Sequence, residues 1–168
     1  MASLPYLCGE SPRWDPVRRQ LVWSDLSAGR LYSFYPRSSA VGTIYAYDYD
    51  LFNGALSRRR TFVKLPETEG MPDGLAVDEQ GHVWSAIWGG SCIIRFDPDG
   101  REERRMETPA VQTSALAFGG DDLTDIYVTS AAECQDPDVP FAGGPVYRCS
   151  AGIRGRLPYR ARISLSPR

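Results

Sequence analysis

The sequence predicts an all-β fold, specifically a partial β-propeller, and three similar stretches carry this prediction. Their sequences are LVWS, HVWS and DIYV; each follows a turn and precedes a glycine, after which a second short run ends in an aromatic residue or cysteine. The paired runs lie at 21–24 and 31–34, at 82–85 and 93–96, and at 125–128 and 146–149. Strand–turn–strand units that recur about every 40 residues are typical of propeller blades.

Each unit also contains an earlier strand, which in a four-stranded blade would lie innermost, beside the central channel. We predict these strands at 9–15, 74–78 and 114–118. The strands are rich in Val, Ile, Trp, Tyr and Phe, which suit a buried pleated surface. Asp, Gly and Pro mark the turns between them. Glu10 and Asp73 lie at the starts of two inner strands, so we expect both carboxylates near the channel.

The spacing of the units predicts that the propeller is incomplete. Val83 and Ile126 occupy matching positions 43 residues apart, which is one blade, whereas Val22 and Val83 are 61 residues apart. The excess contains an orphan strand at 44–48, which begins only 13 residues after Leu31. The repeat is therefore expected to be cut and rejoined between these two strands.

We therefore predict a single, incomplete propeller domain over 1–168. The middle blades are expected to be deleted, with the junction near 36–42. About three blade-equivalents remain, whereas closed propellers have ~4–8 blades. Strand edges would then stay open, and copies of the chain could self-associate through them. No amphipathic helix is predicted, and residues 102–106 are left without an assignment.

Composition and charge exclude several classes of protein. The chain is 42% hydrophobic and 24% charged, as globular domains are, and its net charge of −2 argues against nucleic acid or an anionic membrane as a partner. It has neither an apolar run long enough for a membrane helix nor a visible secretory signal. Cys8, Cys92, Cys134 and Cys149 form no CxxC pair, and His82 is the single histidine. We therefore expect reduced thiols, no structural zinc and a cytoplasmic location.

Longer motifs add a family resemblance. They are GESPxWD at 9–15, YDYD at 47–50, PDG at 72–74, RFDP at 95–98 and GxxGxxPY at 152–159. Together they resemble the SMP-30/gluconolactonase/luciferin-regenerating-enzyme family of regucalcin-like proteins. The resemblance implies a six-bladed propeller that holds one divalent metal in its channel and hydrolyses sugar lactones, such as gluconolactone, or related esters.

The resemblance also implies site residues. It makes Glu10 a metal ligand, and Asp73 both a ligand and the base. The family's third ligand, an asparagine, and its substrate-binding Arg, Asn and Glu have no counterpart here; they belong to the middle blades, where the spacing breaks. Oxygen ligands favour calcium, with zinc, magnesium or manganese as alternatives, and no organic cofactor is expected. Without the resemblance, Glu10 reads as a solvated carboxylate and Asp73 as an ordinary turn residue.

The remaining conspicuous residues are interpreted structurally. We expect Trp14, Trp23 and Trp84 to pack between blades and His82 to be exposed. Ser114 has no nucleophile elbow and no histidine base, which argues against a serine hydrolase.

For two further features of the sequence, a functional and a structural interpretation both remain open. Trp88 with Gly89 and Gly90 either lines the channel mouth or serves packing and loop geometry. The arginines between 148 and 168 are solvated surface or a weak anion- or partner-binding patch.

Three hypotheses about function follow. The first is a metal-dependent sugar lactonase whose water attacks the lactone carbonyl. The second is a non-enzymatic calcium-binding or scaffold protein that retains part of the propeller. The third is a splice or gene-model product without a stable fold.

Overall fold

The structure is a computed structural model that describes residues 13–15, 20–25, 30–34, 42–49, 56–132 and 143–156. Within these residues the chain forms antiparallel strands and one short 3-10 helix, η1. The strands are β1 (Arg13–Asp15), β2 (Gln20–Asp25), β3 (Arg30–Phe34), β4 (Thr43–Tyr49), β5 (Leu56–Lys64), β6 (Met71–Val77), β7 (Val83–Trp88), β8 (Cys92–Phe96), β9 (Glu102–Glu107), β10 (Thr113–Gly119), β11 (Asp125–Ser130) and β12 (Val146–Ser150), with η1 (Glu67–Glu69) before β6. They form three sheets, which confirms an all-β partial propeller.

The first sheet has the order β1-β2-β3-β4-β5. The strand predicted as an orphan is β4, and it is not one, because it pairs on both sides. Ile44 lies opposite Phe34 of β3 and opposite Val63 of β5. The hydrogen bonds of β4 are thus satisfied within a five-stranded sheet. Residues 36–41 of the predicted junction lie outside the described residues, so the deletion itself stays a prediction.

The second sheet, β6-β7-β8-β9, is buried on both faces at its centre. Because side chains alternate along a strand, Val83 and Ile87 of β7 join the core shared with the first sheet. Trp84 and Ala86 point the other way, into the core shared with the third sheet. The near-continuous apolar sequence of β7 follows from this double burial.

The third sheet, β10-β11-β12, packs Leu116, Ile126 and Val128 against the second sheet. Phe118 meets the Trp84 indole edge to face, with ring centroids 5.9 Å apart. Trp84 is fully buried there, which confirms its predicted role between blades. The side chains of Trp14 and Trp23 lie outside the described part of the structure. The predicted inner strands 74–78 and 114–118 correspond to β6 and β10, each at one edge of its sheet.

The region 102–106, left unassigned from sequence, belongs to β9, the outer strand of the second sheet. Most of its side chains are exposed and charged. Charged side chains on an edge strand hinder pairing with another chain, which is why this strand lacks the apolar alternation of the others.

The segment after β12 joins the second and third sheets. Gly155 forms an isolated bridge with Asp78, and Glu79 N–H donates to the carbonyl of Arg154 at 2.9 Å. Arg156 N–H donates to the carbonyl of Val77 at 3.2 Å. The end of β6 is therefore held by residues that follow the third sheet. None of the helical structure in the described part of the chain is long and apolar enough to cross a membrane.

Candidate functional site

Asp73 lies in a bulge near the start of the inner strand β6. The register of β6 against β7 shifts between Pro72, which pairs with Ile87, and Leu75, which pairs with Ser85. Asp73 and Gly74 fall inside this shift. The bulge takes Asp73 out of the regular pairing of the strand. Bulges redirect side chains and are frequent beside active sites.

The Asp73 carboxyl group is half-buried, and loss of solvent raises its pKa to about 6. Among the described residues, no hydrogen bond and no neighbouring charge offsets this effect of burial on the pKa of Asp73. A partly desolvated carboxylate without a cationic neighbour would be stabilised by a bound metal ion, and its oxygens suit a hard cation. Asp73 therefore fits the metal-ligand role predicted for it.

Glu10, the other predicted ligand, lies outside the described residues, so its position relative to Asp73 stays a prediction. Across the described ranges, no three His, Cys, Asp or Glu side chains cluster as a metal site. The structure thus describes one of the two predicted ligands, on the inner strand where the sequence placed it.

Gly74 lets the inner strands of two sheets approach each other. A Cβ at Gly74 would lie 2.5 Å from Ala115 Cα and 2.9 Å from the carbonyl oxygen of Ser114. β10 is bulged as well, between Thr113 and Ala115. Bulges therefore lie on both inner strands, and the Ser114 hydroxyl is hydrogen-bonded to that of Thr129 at 2.9 Å.

Replacement of Gly74 by alanine is expected to lower the free energy of unfolding by about 1–3 kcal/mol, because the new methyl group overlaps β10. Chemical denaturation measures the change. Gly81→Ala is the matched control: nothing lies within 4 Å of its new Cβ, so only its φ of +81° costs, about 1 kcal/mol. A Gly74→Ala protein that is more stable than this control would contradict the close approach.

An open pocket of about 510 Å³ lies beside the start of β6. Met71, which lines it, is two residues from Asp73 along the strand. Its lining residues come from η1, the start of β6, the end of β7 and the segment before β10. They are Glu67, Thr68, Gly70, Met71, Trp88, Gly89 and Gln112. Trp88 and Gly89 therefore line this pocket, and their predicted place at the channel mouth stays a prediction.

Glycines shape the wall of this pocket. A Cβ at Gly70 would lie 2.5 Å from the Trp88 carbonyl oxygen, and its φ is +93°. A Cβ at Gly90 would lie 2.6 Å from the Glu69 carbonyl oxygen. The η1 loop and the β7–β8 turn therefore touch backbone to backbone, which only glycine permits at these two positions.

Gln112 was not singled out from sequence, and its environment is unusual. Its backbone bridges to Trp88, and its carbonyl accepts from Ala131 N–H at 3.0 Å. Its side-chain Oε1 is buried, yet no donor among the described residues reaches it. The unpaired acceptor results from the packing around Gln112. A glutamine in a loop therefore carries no sequence signal that would predict it.

A second polar group, centred on Asp78, is structural. The fully buried carboxylate accepts from the backbone N–H groups of Gln80 and His82 at 3.0 Å, and from Trp84 Nε1 at 3.0 Å. Arg95 Nε donates to it at 2.8 Å. One side chain thereby fixes the β6–β7 turn, the indole between two sheets and a buried guanidinium.

The prediction that His82 is exposed is wrong, because its side chain is only 16% exposed. Its Nε2 lies 3.2 Å from Glu103 Oε2, and Glu103 also accepts from Arg95. The turn held by Asp78 places the imidazole of His82 against β8 and β9. The sequence pattern does not predict this contact with Glu103. His82 belongs to this structural network and lies apart from the pocket.

The described cysteines and tail arginines carry no catalytic arrangement. Cys92 and Cys149 are free, and burial raises the pKa of both thiols, which disfavours a thiolate nucleophile. Arg148 pairs with Asp125 at 2.8 Å and is 65% exposed. It fits the solvated-surface interpretation of the tail.

Comparison with known proteins identifies the family. The family model of the SMP-30/gluconolactonase/LRE-like region matches residues 32–132. Pentonolactonase XacC from Haloferax volcanii is 40% identical over 139 residues, which cover 79% of this chain and 48% of that protein. Regucalcin from Homo sapiens is 36% identical over 153 residues, 85% of this chain and 51% of the relative. The chain thus spans about half the length of the curated relatives it matches.

Solved structures agree with this assignment. The calcium-binding protein regucalcin from Agrobacterium tumefaciens matches with a TM-score of 0.71 at 29% identity, over 80% of this chain and 46% of that one. A luciferin-regenerating enzyme matches with a TM-score of 0.69 at 29% identity, over 82% of this chain and 46% of that one. The chain therefore belongs to the SMP-30/gluconolactonase/LRE-like family.

Proposed function

We propose that this chain is a divalent-metal-dependent hydrolase of sugar lactones, with calcium as the favoured metal. The observation that carries the proposal is Asp73, a half-buried carboxylate on a bulged inner strand, whose pKa burial raises to about 6. Family membership supports the reaction class, since relatives include a pentonolactonase and a gluconolactonase. Zinc, magnesium and manganese are the alternative metals.

In this proposal Asp73, with the predicted ligand Glu10, would hold the metal. When bound, such a metal polarises a carbonyl oxygen and makes water more acidic. Asp73 would also act as the base, as the family resemblance implies, because an ionised carboxylate can accept a proton from water. Water oxygen bonds to the lactone carbonyl carbon and its proton passes to Asp73. The ring C–O bond then breaks, and the leaving oxygen takes up a proton to give the open-chain hydroxy acid.

Removal and return of metal test the proposal. Protein treated with a chelator should hydrolyse gluconolactone at the buffer rate, and added calcium, zinc, magnesium or manganese should restore turnover. A pH indicator follows acid release, and a cooperative thermal transition beforehand excludes the hypothesis of an unfolded product. Hydrolysis at the buffer rate with every metal would overturn the enzymatic proposal.

A second candidate is a calcium-binding or scaffold protein without hydrolytic activity. It is favoured by the sequence, in which the family's asparagine ligand and its substrate-binding Arg, Asn and Glu have no counterpart. Calorimetry separates the two candidates. Calcium binding without lactone turnover would support the calcium-binding protein, and no heat of binding at millimolar calcium would exclude it.

Self-association and a cytoplasmic location are further parts of the proposal. Val146 is 61% exposed on β12, which lies at the edge of the third sheet as described. Such an edge can pair with another chain. Free Cys92 and Cys149 are consistent with a reducing compartment.

A further inference from the structure

We infer that the outer face of the third sheet binds a second copy of this chain, by packing against the first sheet of that copy. The outer face is the one turned away from the second sheet, and it consists of Ala117, Tyr127, Thr129, Val146 and Arg148. The inference rests on the self-association proposed above, to which it assigns a surface, and it does not depend on lactone hydrolysis. It concerns the face of the sheet, not the strand edge at β12.

The two faces of the third sheet differ in what covers them. Leu116, Ile126 and Val128 point toward the second sheet and are buried there. The outer-face residues alternate with them along β10 and β11 and continue across β12 in register, and every one of them is exposed. Among the described residues, the outer face therefore has no covering layer.

The outer face has the composition of an interface. It presents Val146 and Tyr127, which are 61% and 38% exposed, and its arginine, Arg148, pairs with Asp125 at 2.8 Å. Interfaces are enriched in Tyr and Arg and depleted in Lys and Glu, and contiguous exposed apolar residues mark interaction sites. The outermost strands that face solvent are different. Five of the six residues of β9 are charged, and β5 carries three consecutive arginines.

The Tyr127 ring is held flat against the sheet. A Cβ at Gly119 would lie 2.8 Å from Tyr127 Cε2, so the ring rests on the backbone of β10 at this glycine. A side chain that is already fixed loses little conformational entropy when a partner covers it. Tyr127 therefore offers a preformed aromatic surface at the centre of the outer face.

The first sheet also has a face that the rest of the chain does not share a core with. The second sheet lies between the other two and forms one core with each. Ile44 and Ala46 of β4 point into the core with the second sheet, so Tyr45 and Tyr47 point the other way. The guanidinium of Arg59 lies over the Tyr45 ring, 4.9 Å from its centroid. This face thus carries the same residue types, Tyr and Arg, as the outer face of the third sheet.

Packing of the third sheet on the first sheet of another copy covers both kinds of face. Packing of two third sheets would leave both first sheets as they are. Contacts of the first type join unlike surfaces, and they form a closed ring when a two-fold axis relates the two copies. Twice the three sheets of this chain falls within the ~4–8 blades of closed propellers.

The length of the relatives favours a second copy as the occupant. The solved luciferin-regenerating enzyme and the regucalcin from Agrobacterium tumefaciens each match this chain over 46% of their own length. About half of each relative therefore lies beyond the matched part. A second copy would supply a comparable length of chain, folded into the same kind of sheets.

Sedimentation equilibrium of the 168-residue chain should show a monomer–dimer equilibrium. Ala117→Lys should raise the dissociation constant of the dimer by about 100-fold, because the contact would bury an unpaired amine. Tyr127→Ser should raise it by about tenfold, since it removes the central aromatic ring. Val111→Lys adds the same charge at a residue that is 39% exposed outside the outer face, so it is the matched control and should behave as wild type.

A variant of the first sheet tests the opposite side of the contact. Arg59→Glu reverses a charge beside Tyr45 and should raise the dissociation constant by about tenfold. Arg101→Glu makes the same change at a side chain that is 75% exposed in the turn before β9, and it should leave the dimer intact. Melting temperatures near that of wild type would confirm that the variants are folded, as expected for substitutions at exposed positions.

The position of Ala117 separates the outer face from the strand edge, because β10 and β12 lie on opposite sides of the third sheet. A dimer that is unaffected by Ala117→Lys would overturn the inference and leave pairing through the β12 edge in place. A chain that stays monomeric at every concentration would overturn both. A dimer unaffected by Arg59→Glu, or open-ended assemblies of many copies, would overturn the closed arrangement with the first sheet. Lactone turnover, measured on the same samples, tests the proposed hydrolase separately.

Discussion

Replacing Asp78 with alanine is expected to destabilise the protein by about 3–5 kcal/mol, because it removes the fully buried carboxylate that pairs with Arg95 Nε. Among the described residues, the buried guanidinium then keeps only Glu103 and Gln80 as hydrogen-bond partners. The same change removes the acceptor for the Trp84 indole N–H and for two backbone N–H groups of the β6–β7 turn. Since typical domains are stable by only about 5–15 kcal/mol, this loss is a large fraction of the free energy of unfolding. Urea denaturation followed by tryptophan fluorescence measures the loss.

An exposed ion pair provides the control. Asp99 contacts Arg101 at 2.7 Å, but both side chains are more than 70% exposed. Asp99→Ala should therefore change the free energy of unfolding by well under about 1 kcal/mol. The Asp78→Ala, Arg95→Ala double variant should lose less than the sum of the single losses, because the two side chains interact directly with each other. Similar losses for Asp78→Ala and Asp99→Ala would contradict the structural role of the network.

Asp73→Asn is expected to lower kcat/KM for a sugar lactone by about 10²–10⁴-fold, because the amide cannot accept the proton of water. The same substitution should stabilise the metal-free protein at pH 7.5, by on the order of 1–2 kcal/mol. A raised pKa means that the folded state holds the proton more tightly than the unfolded state does. As pH rises from about 4 to about 6, wild type therefore loses stability that the variant keeps.

Denaturation at pH 4 and at pH 7.5 in chelator tests the stability part of this prediction. The difference between wild type and Asp73→Asn should be present at pH 7.5 and absent at pH 4. Added calcium at pH 7.5 should stabilise wild type and reduce the difference. Equal lactone turnover by the two proteins would show that Asp73 is no base. A stability difference that is larger at pH 4 would contradict the burial of an uncompensated carboxylate.

The residue pattern was enough to predict the fold class and the place of Asp73 near the start of an inner strand. The repeated runs placed β7, β8 and β11, and the turn residues before them placed the inner strands β6 and β10. These elements are buried, so their sequences follow the alternation of the sheet. The assignment of Asp73 as metal ligand and base came from the family resemblance and stays a prediction.

Other features depend on contacts that no local pattern encodes. β9 is charged because it is an edge strand, and its sequence resembles a polar loop. His82 lies beneath Glu103, a neighbour brought close only by the pairing of β8 with β9. Gln112 acquires an unpaired acceptor from the packing around it. β4 finds two partners because strand pairing is decided by the whole sheet rather than by the spacing of like sequences.

The bridge between Gly155 and Asp78 has a consequence for the order in which the molecule is made. Long-range pairings form slowly, since the intervening chain must first be synthesised and closed into a loop. During translation, the Val77 carbonyl and the Glu79 N–H lack these hydrogen-bond partners until residues 154–156 have left the ribosome. The second and third sheets should therefore reach full stability together and late, as one cooperative unit, instead of blade by blade as each emerges.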